Sequence, residues 1–418
     1  MGRRSYAGGG IFNIEEDEIS HVDVMCYGKS TGSLAVIVHG GVPPYQFSID
    51  GENWQDEEYF DNLPVPANAV KSTDEYGGIW IGEYIIYCRD SNGKYANVKA
   101  IIQSPVKREW IINPNNCPNY ENGKLFFAAD AGQEYATPLP NIDYYCPSPS
   151  TQCTNTTISH TIYQEHYNVG QTTIRGTISS RICRESDVYE ILVTVAPRRL
   201  PNAIQDYDGN WYDAVIIGNQ VWLGSNLKTT HYANGDQVSG ISSAYDGYAY
   251  SWNNVMNGES ASNENPSGVQ GIAPNGWHIP SRAEFSELLS YVGSEEVYIL
   301  NNNTSYIAKA LCSTSGWKSD TTNQYSVGNN QSANNLTLLN IKPDESNGMG
   351  TYLWSSTTAG TTVVNIYYLA FRSFAPNASI GSEQNGEKHP VRCVCDMNSL
   401  DFIKWYWNTY GSFDHQLS

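Results

Sequence analysis

Gly276-Trp277-His278-Ile279-Pro280-Ser281-Arg282-Ala283-Glu284-Phe285 carries the chain from a strand into a helix. Ser281 and Glu284 stand in the capping-box pattern. A serine hydroxyl at N-cap serves the amide three residues on, and Glu284 reaches back to the serine amide. Phe285, Leu288, Leu289 and Val292 then follow at helical spacing and make one apolar stripe. Upstream, Ala214-Val215-Ile216-Ile217 and Gln220-Val221-Trp222-Leu223 flank Gly218-Asn219, a two-residue hairpin signal. A shorter helix is expected from Ser305 to Leu311. Further strands are expected near Tyr352-Leu353-Trp354, from Val363 to Phe371, and at Val391-Arg392-Cys393-Val394. Strands and helices interleaved this way predict an α+β domain over 203–396.

Outward from that domain the chain reads as mainly β. Residues 1–19 form a Gly-rich, then acidic arm. Residues 20–106 show short strands (Ser33–His39, Tyr45–Ile49, Glu83–Tyr87) separated by Gly, Pro and Asp-Gly turns, a β-sandwich pattern. The stretch from Phe60 to Gly78 reads as an insertion loop. Residues 107–198 form a second β-sandwich ending in Tyr189–Val195, and 199–202 a stiff linker containing Pro201. Residues 397–418 are a tail rich in aromatic side chains.

Composition limits the function. The 418 residues carry Lys+Arg 24 against Asp+Glu 43, a formal charge of −19. So acidic a chain has no surface for nucleic-acid phosphates or anionic lipid. No run of 18 apolar residues predicts a membrane-spanning helix. The basic beginning around Arg3 and Arg4 is not followed by the apolar stretch of a secretory signal. The nine cysteines are an odd number and cannot all pair within the chain, which leans toward reduced thiols. The 30 Tyr and 11 Trp, eight of the latter beyond residue 203, suit recognition surfaces.

Two resemblances follow from particular residues. Cys26-Tyr27-Gly28, Thr31-Gly32-Ser33, Gly40-Gly41-Val42-Pro43-Pro44-Tyr45, Gly82-Glu83-Tyr84 and Asp90 resemble the SprB-type repeat of Bacteroidota surface adhesins, which implies an immunoglobulin-like spacer without chemistry. Asp206–Asn210, Ile217–Trp222, Asn226–Thr230, Tyr250–Asn253, Gly276–Ser281, Glu284, Trp354–Thr357 and Val391–Val394 resemble the Fibrobacter succinogenes major paralogous domain. That resemblance implies a C-type-lectin-like α+β fold with two helices and long loops, serving binding at a cell surface. The family often has a cysteine just before the Gly-Trp-His segment, bridging to the position of Cys393. Here that place is Ala273, so Cys393 is expected to be free or to pair elsewhere, as in a reducing cytoplasm.

Candidate sites are weighed on their residue types. His278 and Glu284 invite acid/base chemistry, but Glu284 already has a capping task and no catalytic residue is assigned. The related fold of formylglycine-generating enzymes relies on a reactive cysteine pair, and none is placed here. His389, Cys393 and Cys395 could supply three metal ligands, and Cys117, Cys146, Cys153 and Cys183 two disulfides or a zinc site; the first set has no evident fourth ligand and the second lacks zinc-knuckle spacing, so no metal site is assigned. Calcium stays open as a cofactor, since Asp206-x-Asp208-Gly-Asn210 has calcium-loop character without its distal Glu, and Lys342-Pro343-Asp344-Glu345 echoes a sugar-binding loop without its usual residue before proline.

The loop-rich stretch 357–388 is the expected ligand face, with Asn365, Tyr367, Arg372, Phe374, Asn377, Glu383 and Asn385 as binding residues. Ile366, Tyr368 and Ala370, in phase with Val364, are expected to face the core, and Asn365 and Tyr367 the opposite side. Phe402, Tyr406, Tyr410 and Phe413 form one helical stripe. The tail either packs on its own chain or docks an assembly through Trp405, Trp407 and Tyr410; Arg3 and Arg4 are the other candidate anchor. The expectation is a non-enzymatic adhesion or receptor-recognition protein that binds host-surface glycan or protein. It would be displayed on a bacteriophage virion as a head fibre, decoration or tail protein, released by lysis. The alternatives are a Bacteroidota cell-surface or pilus-associated adhesin and, more distantly, a glycan-active enzyme. Homo-oligomerisation is left open.

Overall fold

Apolar alternation along Leu34, Val36 and Val38 fixes the first sheet of the N-terminal unit, because strand residues two apart share a face. In the computed structural model, which describes residues 11–72, 79–105, 111–112, 118–137, 144–145, 156–160, 165–180, 186–244, 246–343, 347–359 and 365–416, strands β1 (Asn13–Glu16), β2 (Gly32–His39), β3 (Gln46–Ser48), β4 (Tyr59–Leu63), β5 (Val70–Ser72), β6 (Ile79–Arg89) and β7 (Tyr95–Pro105) make two antiparallel sheets. One has the order β1-β2-β4. In the other, β6 pairs with β3, β5 and β7, with its register on β7 running unbroken from Ile79↔Pro105 to Arg89↔Tyr95. Leu34, Val36 and Val38 meet Ile86, Cys88, Ala100 and Ile102 in one buried cluster. The stretch 60–78 is not simply a loop. It supplies most of β4, which places Phe60 and Leu63 in that core, and β5; residues 73–78 lie outside the described ones.

The Gly40-Gly41-Val42-Pro43-Pro44 stretch is held by Asp90, whose carboxylate accepts the amides of Val42 (3.1 Å), Asn92 (2.9 Å) and Lys94 (2.9 Å). Gly41 has φ +71°, and a Cβ there would lie 2.5 Å from the Phe12 ring, so only glycine fits.

Contacts divide the chain into two compact units, 1–117 with 141–163 and 174–190, and 118–140 with 164–173 and 191–418. Residues 107–198, read from sequence as one sandwich, contribute to both. Cys117, Cys146, Cys153 and Cys183 lie outside the described residues.

In the C-terminal unit, β8 (Lys124–Ala128) runs parallel to β9 (Ser186–Ala196) from Lys124↔Leu192 to Ala128↔Ala196. Its central sheet contains β10 (Arg199–Gln205), β11 (Trp211–Ile217) and β12 (Gln220–Leu223). After β13 (Ser242–Ser243), β14 (Tyr248–Ser251) and helix α1 (Trp252–Met256) come β15 (Trp277–His278), α2 (Arg282–Ser294) and α3 (Ala308–Leu311). Strands β16 (Gly350–Ala359), β17 (Asn365–Arg372) and β18 (Ser379–Gln384) form an antiparallel sheet. Then β19 (Lys388–His389), β20 (Val394–Cys395) and α4 (Ser399–Tyr410) complete the unit. The central sheet has the order β10-β11-β12-β20-β15, and a small one the order β13-β14-β19.

Period-two alternation sorts these strands onto two cores. Tyr212, Ala214, Ile216, Val221, Leu223, Trp354, Ile366, Cys393 and Cys395 belong to one, which α4 covers with Phe402, Ile403 and Tyr406. Val215, Ile217, Trp222, Leu353, Leu369, Phe371 and Val394 belong to the other, which α2 covers with Phe285, Leu288 and Val292. Each predicted feature of the opening stretch is present. The Ser281 hydroxyl accepts from the Glu284 amide (3.1 Å), and the Ser281 amide donates to Glu284 Oε2 (2.8 Å). The 217–220 hairpin closes in two residues, with Gly218 at φ +59° against the Tyr291 ring. The chain is thus mainly β and multi-domain, as the sequence predicted.

The tail packs on its own chain. Tyr406 donates its hydroxyl to Pro201 O (2.6 Å), and Lys404 Nζ to Pro118 O (2.6 Å). Trp405, Trp407 and Tyr410 are half-buried against the first core.

Candidate functional site

The hairpin of β13 and β14, Tyr352 on β16, and residues 386–389 enclose a cleft of about 500 Å³ in the C-terminal unit. Pairing sets its floor: Tyr250 lies opposite His389 and Ser251 opposite Lys388. The His389 ring sits 4.5 Å from Trp354, 5.2 Å from Tyr352 and 6.2 Å from Tyr368, measured between centroids. Tyr352 and Tyr368 meet edge to face at 5.2 Å. His389 Nε2 bonds Glu383 Oε1 at 2.5 Å. Burial lowers the imidazole pKa, and the charge and hydrogen bond of Glu383 only partly oppose this. His389 is therefore neutral at pH 7 and donates from Nε2. Trp354 is sealed in the wall, its indole N–H donating to Tyr250 O at 2.9 Å. On the rim, Lys388 Nζ donates to Ser242 Oγ (3.1 Å), beside the exposed Ser243 and Glu387.

The expected ligand residues separate into four places. Glu383 lies at the cleft beside His389, and Asn385, bonded to Asn253 Oδ1 (3.3 Å), is next to its rim. Asn365 and Tyr367 do face away from Ile366, but that side is not open. Leu369 and Phe371 share it inside the second core, and the Arg282 guanidinium covers the Tyr367 ring at 4.6 Å. Arg372 and Phe374 are exposed at the far end of β17, and Asn377 lines a different hollow of about 610 Å³ with Ser290, Gly293 and Ser305. Sequence reasoning missed Tyr352, Ser242, Ser243 and Lys388, because their meeting depends on β19 pairing with a strand some 140 positions earlier. The aromatic-polar alternation around 248–252 was the one available signal. Arg3, Arg4, Asp344 and Glu345 lie outside the described residues.

The other candidates are committed internally. His278 and Glu284 are both 1% exposed. His278 Nε2 bonds Glu284 Oε1 (2.6 Å) and Nδ1 bonds Asp396 Oδ1 (2.7 Å), while Glu284 Oε2 also accepts the Ser267 amide (3.2 Å). The His278 ring and Glu284 carboxylate are thus buried and satisfied, with Asp396 at the solvent-facing end of the network. In the 206–210 turn, Asp206 accepts Asn210 N (2.8 Å) and the Tyr212 hydroxyl (2.6 Å); Asp208 is engaged by Thr229, Thr230 and His231. Arg392, fully buried, donates to Asn226 Oδ1 (2.9 Å), Leu223 O (3.0 Å) and Leu339 O (2.8 Å), tying together residues of the motifs read from sequence. Cys88, Cys312, Cys393 and Cys395 are buried and free, and burial pushes the Cys395 thiol up to about 12, so these thiols are protonated and unreactive. Cys26 is disulfide-bonded. Among the described residues no group of three or more His, Cys, Asp or Glu side chains could share a metal ion.

Comparison with known families bears out both resemblances, in the order read along the chain. Residues 215–395 match the model of the Fibrobacter succinogenes major domain. Residues 19–53 match the SprB repeat. No curated protein matches the chain significantly. Solved structures with some likeness include domains 4 and 5 of the S-layer protein SbsC (14% identity, 45% of this chain and 99% of that one, TM-score 0.20). Another is the three N-terminal domains of the bacteriophage RB49 highly immunogenic outer capsid protein (11%, 57% and 84%, TM-score 0.24). A third is the Bacteroides ovatus mixed-linkage glucan utilization locus protein SGBP-B in complex with a heptasaccharide (13%, 56% and 59%, TM-score 0.13).

Proposed function

We propose that this chain is a non-enzymatic adhesion protein whose C-terminal unit recognises a ligand on a cell surface, glycan or protein, at the His389 cleft. The observation that carries the reading is an SprB repeat followed by a domain whose open cleft combines aromatic walls with a polar rim. Such a combination serves selective binding: apolar faces supply contact area and a few polar groups fix orientation. A recognition role without chemistry is consistent with the carboxylates beside the cleft and in the 278–284 network. Glu383 is held by His389, and Glu284 by three protein donors.

The SprB match favours display on a bacterial cell surface, as does the Cys26 disulfide. A virion appendage is the second reading, favoured by four buried thiols that stay unpaired, as folding in a reducing cytoplasm leaves them. Trp405, Trp407 and Tyr410 are engaged by their own chain, and the arm carrying Arg3 and Arg4 is the other anchor to test in either reading. Labelled full-length chain incubated with Bacteroidota cells and with a glycan array, with and without calcium, tests the function. Binding to neither overturns it, and release of new reducing ends from a glycan overturns the non-enzymatic part. Mass spectrometry of cell-envelope and purified virion fractions decides between the two carriers.

A further inference from the structure

The rim and walls of the cleft are chemically specific enough to name a ligand class. The Tyr352 and His389 rings line one wall, inclined by 33°. The hydroxyls of Ser242 and Ser243, each able both to donate and to accept, line the same cleft with the Lys388 ammonium as a donor and the Glu387 carboxylate as an acceptor. Donors and acceptors thus share one cleft with aromatic rings. A pyranose presents the same pair of features, an apolar C–H face and a ring of hydroxyls that each donate and accept. The volume lies within the roughly 300–1,000 Å³ of small-molecule sites.

Charge selects among saccharides. The charged side chains lining the cleft are Lys388 and Glu387, with Glu383 engaged by His389, and the chain as a whole carries −19. An anionic sugar would gain no net local attraction and would meet repulsion at long range.

We propose that the cleft binds a neutral saccharide, one ring packed on Tyr352 and His389 and its hydroxyls bonded by Ser242, Ser243, Glu387 and Lys388. This rests on reading the chain as a recognition protein, and it names that site's ligand class.

The test uses the full-length chain on an array carrying neutral, uronic-acid, sialylated and sulfated glycans, followed by calorimetry of the best ligand in EDTA. Neutral glycans bind. Lys388→Ala, an exposed position that leaves the core intact, weakens the best of them roughly tenfold. Ser243→Trp, also exposed, fills the cleft and abolishes binding. Preference for anionic glycans overturns the proposal, as does neutral-glycan binding that both variants leave unchanged. Adhesion to cells without any glycan binding overturns the ligand class and leaves the adhesion reading standing, whereas loss of both removes the adhesion reading as well.

Discussion

His278 lies between Glu284, six residues on, and Asp396, 118 residues away. Burial alone would lower its pKa, but the hydrogen bonds and charges of the two carboxylates outweigh that and raise it to about 9. A folded-state pKa above the unfolded value of about 6.5 stabilises the fold fully below that value, and the contribution disappears as pH rises through about 9. Thermal melting of the wild type should therefore fall between neutral pH and about pH 10. His278→Gln should melt lower at neutral pH and lose part of that slope; parallel curves for the two proteins would show that His278 does not titrate in this range. The capping box around Glu284 was readable from four consecutive residues, since its bonds are local. Asp396 was not, because nothing in the neighbourhood of His278 announces a strand pairing from the end of the domain.

Helix α4 turns a tail into a structural element. Its stripe was legible because Phe402, Tyr406 and Tyr410 recur at helical spacing, yet periodicity cannot name the surface that receives it. The answer is its own chain: Phe402 meets the Trp277 ring edge-on at 6.0 Å, and Tyr406 is fully buried. Phe402→Ala should cost about 3–5 kcal/mol in chemical denaturation, whereas an element held only by a partner would leave the isolated chain's stability unchanged. Strand β17 failed the reading for the opposite reason. Alternation gave its phase correctly, but Leu369 and Phe371 are packed by α2, α3 and β16 on the side expected to be open. A strand covered on both faces reads as a near-continuous apolar run, as Ile366 to Phe371 does, and within such a run alternation does not reveal which side meets water.

At the scale of the whole molecule, long loops of the C-terminal unit are fixed by side-chain cations. The buried Lys309 ammonium donates to the backbone carbonyls of Ser326 (3.3 Å), Asn329 and Asn330 (3.3 Å). Carbonyls converging on one positive charge are the arrangement a bound cation would organise, and here the charge is covalently part of α3. The melting temperature is accordingly expected to be the same in calcium and in EDTA; a calcium-dependent rise would reveal a site outside this arrangement. Lys309→Met should lower stability by about 1–3 kcal/mol, measured by urea denaturation, because three carbonyls lose their donor. The cage was invisible in the sequence, where Lys309 is one lysine in a short apolar helix and its partners are unremarkable backbone 17 to 21 residues away.

The contacts between the first strand of the central sheet and the end of the chain have one more consequence. Asn202 Nδ2 donates to His415 O (3.0 Å), and Tyr406 reaches Pro201. Residues 201 and 202 thus lie beside residues 406 and 415 within the C-terminal unit, which also takes in 118–140 and 164–173. Positions this close can be bridged by a short linker, the geometry that circular permutation needs.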